Sequence, residues 1–244
     1  MKREIAMQAE RVLTHRRDAW WLEPLLIVLG LGGFTIYATW AALQGAHYEY
    51  GNYLSPFYSP LIKPDWWPFS PAIFILWSPL GFRLTCYYYR KAYYRSFFWD
   101  PPACAVGEFR KGYQGETRFP FILQNLHRYF LYTAIVVLAF LWYDAIYAFF
   151  FNGRFGVAVG SLVLLLNVAL LSLYTFSCHS IRHLIGGNQD CFSTCPNRYA
   201  LWKRASVLNE HHMLWAWVSL FTVAFADLYI RLLSMGIIQD VRLL

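Results

Sequence analysis

The sequence predicts an all-α integral membrane protein, a bundle of five transmembrane helices, and three observations carry that prediction. Of its 244 residues 58% are hydrophobic and 20% aromatic, while only 14% are charged, well under the proportion of about a quarter usual in a soluble domain. The apolar residues gather in runs long enough to cross a bilayer. The 21 Lys and Arg and 14 Asp and Glu, a formal charge of +7, stand between those runs instead of forming a basic face, which argues against a nucleic-acid binder. Met1 to Glu23 is polar and holds no apolar core followed by a small-residue cleavage site, so a cleaved secretory signal is not expected.

A helix needs roughly 20 apolar residues to cross about 30 Å of hydrocarbon. Residues 24–46 meet this without a formal charge. The second span, 69–89, contains Pro71, Pro79 and Arg83; a proline frees backbone groups that neighbours must satisfy, so a kinked helix inside the bundle is expected. The third, 127–151, holds one acid, Asp144, and the fourth, 155–177, holds no charge; Asn152, Gly153 and Arg154 turn the chain between them. The fifth, 212–233, is interrupted by Asp227. Asp144 and Asp227 sit toward the outer ends of their spans, where salt bridges to Arg154 and Arg231 are expected. The whole chain, 1–244, reads as a single transmembrane domain without internal repeats.

Counting Lys and Arg in alternate connections gives fifteen on the side of the N-terminus and four on the other. The positive-inside rule then puts the N-terminus in the cytoplasm and the C-terminus outside. Residues 48–69, rich in Tyr, Trp and Pro, suit an aromatic belt along the outer headgroups. On the inner side, residues 87–99 (YYYRKAYYRSFFW) interleave Tyr with Arg90, Lys91 and Arg95, a basic aromatic surface fit for anionic lipid or a soluble partner.

Placed on this topology, nearly all Cys and His fall on the inner side: Cys86, Cys104, His127, Cys178, His179, His183, Cys191, Cys195, His211 and His212. A reducing compartment disfavours disulfides and leaves metal binding or plain burial. In Cys178-His179-Ser180-Ile181-Arg182-His183, the two imidazoles are four residues apart and share a face of a continued helix. Mixed thiolate and imidazole suits zinc or a [2Fe-2S] centre in which two His replace two Cys on one iron. A haem would need facing His with room for a macrocycle, as between His127 or His183 and His212. Two stacked haems are disfavoured, because only His47 lies near the outer face. Arg83, about a turn from Cys86, either snorkels to the inner surface or faces a quinone oxygen or cluster sulfur. Cys191 and Cys195 (CFSTC) are spaced more widely than a CxxC knuckle.

The strings TCYYYRKAYYRSFF, PPACAV, GETRFPFILQNLHRYF, SCHSIRHLIGG and LNEHHMLWAWVSLFTVAFADLY resemble the cytochrome-b-like membrane anchor of bacterial succinate dehydrogenases and fumarate reductases, in the branch of five-helix single-chain anchors. The resemblance covers residues 15–235. It implies a multi-pass protein of the bacterial inner membrane, a subunit of succinate dehydrogenase (quinone). Its partners would be a flavoprotein subunit that oxidises succinate and an iron-sulfur subunit docked on the cytoplasmic face. Electrons would pass to a menaquinone or ubiquinone, in respiration and the tricarboxylic acid cycle.

Some anchors of this family hold haem b; a branch with this Cys and His pattern is similar to anchors with a membrane-embedded Rieske-type [2Fe-2S] cluster. That resemblance implies two Cys and two His from a pool of Cys86, Cys104, Cys178, His127, His179, His183 and His212. CHSIRH departs from the soluble Rieske spacing, so the remaining ligands must come from other helices. Quinone donors would come from Arg83, Tyr87, His127, Arg128 and Trp215. The competing readings are the same anchor with a single haem b, a cofactor-free structural anchor, and, from another class, a transporter, which would need polar residues lining a path through the bilayer.

Overall fold

The computed structural model describes residues 14–107, 117–119 and 121–244. It is built of helices, with two short hairpins: α1 Leu22–Gln44, β1 Glu49–Tyr50, β2 Tyr53–Leu54, α2 Ile73–Leu84, α3 Tyr87–Ala92, α4 His127–Tyr147, β3 Phe150–Phe151, β4 Arg154–Phe155, α5 Val159–Phe176, α6 His179–Gly186, α7 Pro196–Glu210 and α8 His212–Ser234. Four stretches are long and apolar enough to cross a membrane: Leu22–Gln44, Ile122–Tyr147, Val159–Phe176 and His212–Ser234. They match the expected first, third, fourth and fifth spans within a few residues.

The expected span 69–89 takes another form. Its helix is the 12-residue α2, which rises about 18 Å and falls short of the hydrocarbon thickness. Ser70 and Pro71 start it, the backbone N–H of Ile73 bonding to the Ser70 carbonyl. Pro79 lies inside it and cannot donate to the preceding turn. At Cys86 the backbone turns extended (φ −64°, ψ 130°) before α3 begins.

Two compact units divide the chain, one formed by the described residues of 1–35 with 84–125, the other by 36–83 with 126–244. In the first, Arg16 donates to the Cys104 carbonyl at 2.8 Å and Thr14 to the Ala105 carbonyl. Trp20 meets Trp99 edge to face at 5.6 Å. The basic aromatic stretch is indeed helical at Tyr87–Ala92 and continues as a π-helical turn over Tyr93–Phe97. It is partly folded inward: Tyr89 is buried and stacks on Tyr93, and Arg90 lies over the Tyr87 ring.

In the second unit α4, α5 and α8 pack around Leu138, Ala145, Leu164, Val168, Ile230 and Leu233. Asn152 (φ 50°) and Gly153 (φ 78°) form the two-residue turn between β3 and β4, and paired positive φ values suit the twist of a tight hairpin. Large apolar side chains on the outer faces stay exposed, Ile36 at 74% and Val136 at 57% among them, as hydrocarbon-facing helices require.

The aromatic stretch 48–69, expected as a belt, is exposed only in part. Trp66 and Phe69 are exposed, but Tyr53, Phe57 and Tyr58 are buried. Tyr58 stacks on Tyr48 at 4.2 Å and donates to the Ala41 carbonyl at 2.8 Å. Tyr53 fills the space above Gly160, where a Cβ would come within 2.4 Å of its ring. A tyrosine whose hydroxyl finds a partner is as stable inside as at the interface, so composition alone did not separate these roles. The Asp227–Arg231 pair expected from sequence is present, at 2.7 Å. The Asp144–Arg154 pair is not: Asp144 accepts from the Ser59 hydroxyl of the inward-folded stretch, while Arg154 is exposed in β4.

Candidate functional site

The site begins where α5 ends. Ser177 closes α5, and Cys178 (φ −62°, ψ 139°) is a single extended residue that caps α6, its sulfur accepting from the Ser180 N–H at 3.3 Å. One extended residue between two helices turns the thiol inward, and it is fully buried. Donors at a helix N-terminus favour the thiolate form.

Opposite it stands His127, the first residue of α4 and also buried. Its Nε2 lies 3.0 Å from Cys178 Sγ, and His179 Nδ1 is 3.9 Å from the same sulfur. The ligand atoms of His127, Cys178 and His179 all lie within 4.8 Å of one another. The two imidazoles are parallel, their centroids 5.6 Å apart. Burial, with His183, Arg128 and Arg182 adding to it, holds the His179 imidazole below its ordinary pKa range, which keeps it in the neutral form that binds metal.

Aromatic and polar neighbours that the sequence reading passed over hold this group in place. Phe82 stacks flat on His127 at 4.7 Å and meets Tyr174 edge-on; Tyr174 stacks on His212 at 5.1 Å. Ser177 Oγ is 2.6 Å from His212 Nδ1 while donating to the Tyr174 carbonyl. With its own proton so engaged, Ser177 accepts from Nδ1–H, which fixes the His212 tautomer. Ser177 lies inside the SCHSIRH string, a signal that was available; Phe82 and Tyr174 gave none, being ordinary apolar residues of their spans.

The other candidates spread out. His183 is exposed one turn from His179, its ring 5.9 Å away and perpendicular. Cys86 is buried and caps α3 in the other unit, as Tyr87 starts that helix, and Cys104 is exposed. Arg83 turns into the bundle instead of snorkelling: it donates to Ser219 Oγ at 2.9 Å and the Ala216 carbonyl at 3.2 Å, with its guanidinium 4.5 Å over Tyr174. Trp215, one residue before Ala216, has a buried indole N–H with no hydrogen-bond partner. Arg128 is exposed beside His127.

The donor set fits a mixed thiolate and imidazole centre. One thiol and two imidazoles bring their ligand atoms within 4.8 Å of one another, a mixed set suited to zinc or to an iron-sulfur centre.

Comparison with known proteins identifies the family of the chain. Residues 22–236 match the family described as actinobacterial succinate dehydrogenase subunit SdhC. A search of curated proteins found no match. Among solved structures, the chain is similar to one from the Mycobacterium smegmatis Sdh1 complex in the apo form, with 47% identity, a TM-score of 0.88, and coverage of 95% of this chain and 94% of that one.

Proposed function

This chain belongs to the actinobacterial succinate dehydrogenase SdhC family, and from that premise we propose that it anchors the complex in the membrane and carries electrons to quinone through a Cys and His-ligated [2Fe-2S] centre. As such a subunit it works in the bacterial inner membrane with a flavoprotein and an iron-sulfur subunit. The fifteen-to-four bias of Lys and Arg supports a five-span topology with a cytoplasmic N-terminus and outer C-terminus, the short helix α2 serving as the inner part of the second span. The iron-sulfur subunit then docks on the face that holds His127 and Cys178.

The observation that carries the reading is the 3.0 Å approach of Cys178 Sγ to His127 Nε2 with His179 beside them. Cys178, His127, His179 and His212 supply one thiolate and three imidazoles, of which two are needed. For the second thiolate the candidates from sequence are Cys86, which is buried, and Cys104, which is exposed. When bound, such a centre supplies one-electron transfer at a potential that imidazole ligation raises toward that of quinones.

The chain's own residues do the rest. Phe82 covers the His127 ring and Tyr174 covers His212, which keeps water from the ligands. Ser180 N–H steadies the Cys178 thiolate, and Ser177 fixes the His212 tautomer. Quinone binds beside α8, where the free indole N–H of Trp215 donates to one carbonyl oxygen and the Arg83 guanidinium, held by Ser219, offers positive charge to the reduced ring. His127 and Arg128 are the further candidate donors of this unit.

The test is an optical and electron paramagnetic resonance comparison of the purified complex, oxidised and dithionite-reduced. A Rieske-like reduced signal that Cys178→Ser and His127→Ala each abolish is the expected outcome. A sharp haem α-band, or full succinate:quinone activity in both variants, overturns the cluster assignment.

A further inference from the structure

Cys191 and Cys195 lie outside the site and bracket a single 3-10 turn, Phe192–Thr194. Cys191 is exposed and Cys195 half-exposed. Cys191 Sγ lies 2.7 Å from the Ser193 hydroxyl. The Thr194 hydroxyl, which donates to the Cys191 carbonyl at 2.9 Å, is 3.9 Å from Cys195 Sγ. The Cys195 N–H bonds to the Phe192 carbonyl at 3.1 Å, so the chain folds back and brings the two cysteines to the two ends of one tight turn. The turn is held from below by Phe192, whose ring packs on Tyr199 and Trp202 at 5.4 Å each.

We propose that Cys191 and Cys195 form a reversible dithiol site that exchanges with small-molecule disulfides. Cys191 is the attacking thiol, because it is open to solvent and carries the nearer hydroxyl; the hydrogen bond with Ser193 also holds its pKa below the ordinary thiol range, which raises the reactive thiolate fraction. Its thiolate attacks one sulfur of a disulfide RSSR, forming a Cys191–SR bond and releasing RS⁻. The Cys195 thiolate then attacks Cys191 Sγ, releasing the second RS⁻ and closing the Cys191–Cys195 bond. Two electrons pass from the protein dithiol to RSSR, and the two thiol protons end on the released thiols. Exposed disulfides of this kind are the reducible, regulatory ones, in contrast to buried structural bridges.

Arg198, three residues after Cys195, donates to the Ile185 and Gly187 carbonyls at 2.8 and 3.3 Å, and Trp202 packs so closely on Gly186 that a Cβ there would lie 2.6 Å from its ring. These contacts tie the turn to the end of α6, the helix that begins at His179.

The experiment treats the purified, pre-reduced complex with oxidised glutathione, quenches with acid, alkylates with N-ethylmaleimide and maps the peptides by mass spectrometry. The expected result is a Cys191–Cys195 peptide that has lost two hydrogens, carries no maleimide and is restored by dithiothreitol. Cys195→Ser should instead hold one glutathione on Cys191, and Cys191→Ser should hold none in that turn. The proposal is overturned if both cysteines stay alkylatable in the wild type, or if exposed Cys104 takes up glutathione as readily as Cys191 and no bridge forms.

Discussion

Arg231 and Asp227 meet at 2.7 Å one helical turn apart with 1% and 0% of their side chains exposed. Both terminal nitrogens of the arginine are engaged as well: Gln44 Oε1, the Ala46 carbonyl and the Ala41 carbonyl accept from them at 2.6 to 2.9 Å. Asp227 in turn accepts from Tyr37 at 2.6 Å and from Ser55. The pair therefore ties the C-terminal end of α1, the inward-folded aromatic stretch and α8 into one polar group. Removing one partner leaves a buried charge alone, which costs about 3–5 kcal/mol. Asp227→Ala should lower the thermal midpoint of the detergent-solubilised complex sharply, while Asp227→Leu with Arg231→Met should cost less than either single change.

Ser177→Ala addresses the site without touching a sulfur. Ser177 Oγ sets the ring of His212, and loss of such an outer partner typically weakens a metal site about 10- to 100-fold. If the proposed cluster is present, the variant should keep its fold and lose cluster occupancy during purification, read as iron per complex. His183→Ala, at an exposed position, should retain wild-type iron content; equal losses in both would argue that neither residue acts through the centre.

Much of this was legible in the sequence, and the limits have physical causes. Four apolar runs announced themselves because hydropathy is summed over a whole span. The gathering of His127, Cys178 and His179 at neighbouring span ends followed from alternation of the apolar runs, and Asp227 with Arg231 from an i, i+4 spacing on one helix. The meeting of His127 with Cys178, 51 residues apart, did not, since register between helices is set by packing that spacing does not encode. Helix α7 was hidden for another reason: PNRYALWKRASVLNE is polar with no apolar stripe, and its anchors are single residues such as Arg198 and Trp202. Tyr53 and Tyr58 looked the same as the exposed aromatics around them.

Gly160 tests how tightly the inward-folded stretch is seated. A Cβ there would lie 2.4 Å from Tyr53 Cε2 and 2.8 Å from Cζ, and Tyr53 is itself fixed by its bond to Asp240. Overpacking of this kind costs about 1–3 kcal/mol. Gly160→Ala should lower the stability by that amount, and Gly160→Ala with Tyr53→Leu should recover part of it; no change in the thermal midpoint of the single variant would show that Tyr53 is free to move.

Tyr53 also gives this end of the bundle a pH dependence. Its hydroxyl donates to Asp240 at 2.6 Å, and Asp240 also accepts from Tyr229 and the Gly160 N–H, so one carboxylate clamps the C-terminal tail onto the start of α5. Burial, then the bond to Asp240, raises the Tyr53 pKa above its usual 10.0. The folded protein keeps a proton there that the unfolded chain releases, so the contribution is fully present below pH 10 and is lost as pH rises further. A hydrogen bond to a charged group is worth about 1.5–3 kcal/mol. Tyr53→Phe should therefore lose about that much stability at pH 8 and flatten the alkaline fall. Tyrosinate absorbance would report it: one late-titrating tyrosine should vanish from the wild-type profile in Tyr53→Phe, and an unchanged profile would mean that Tyr53 ionises as freely as a surface tyrosine.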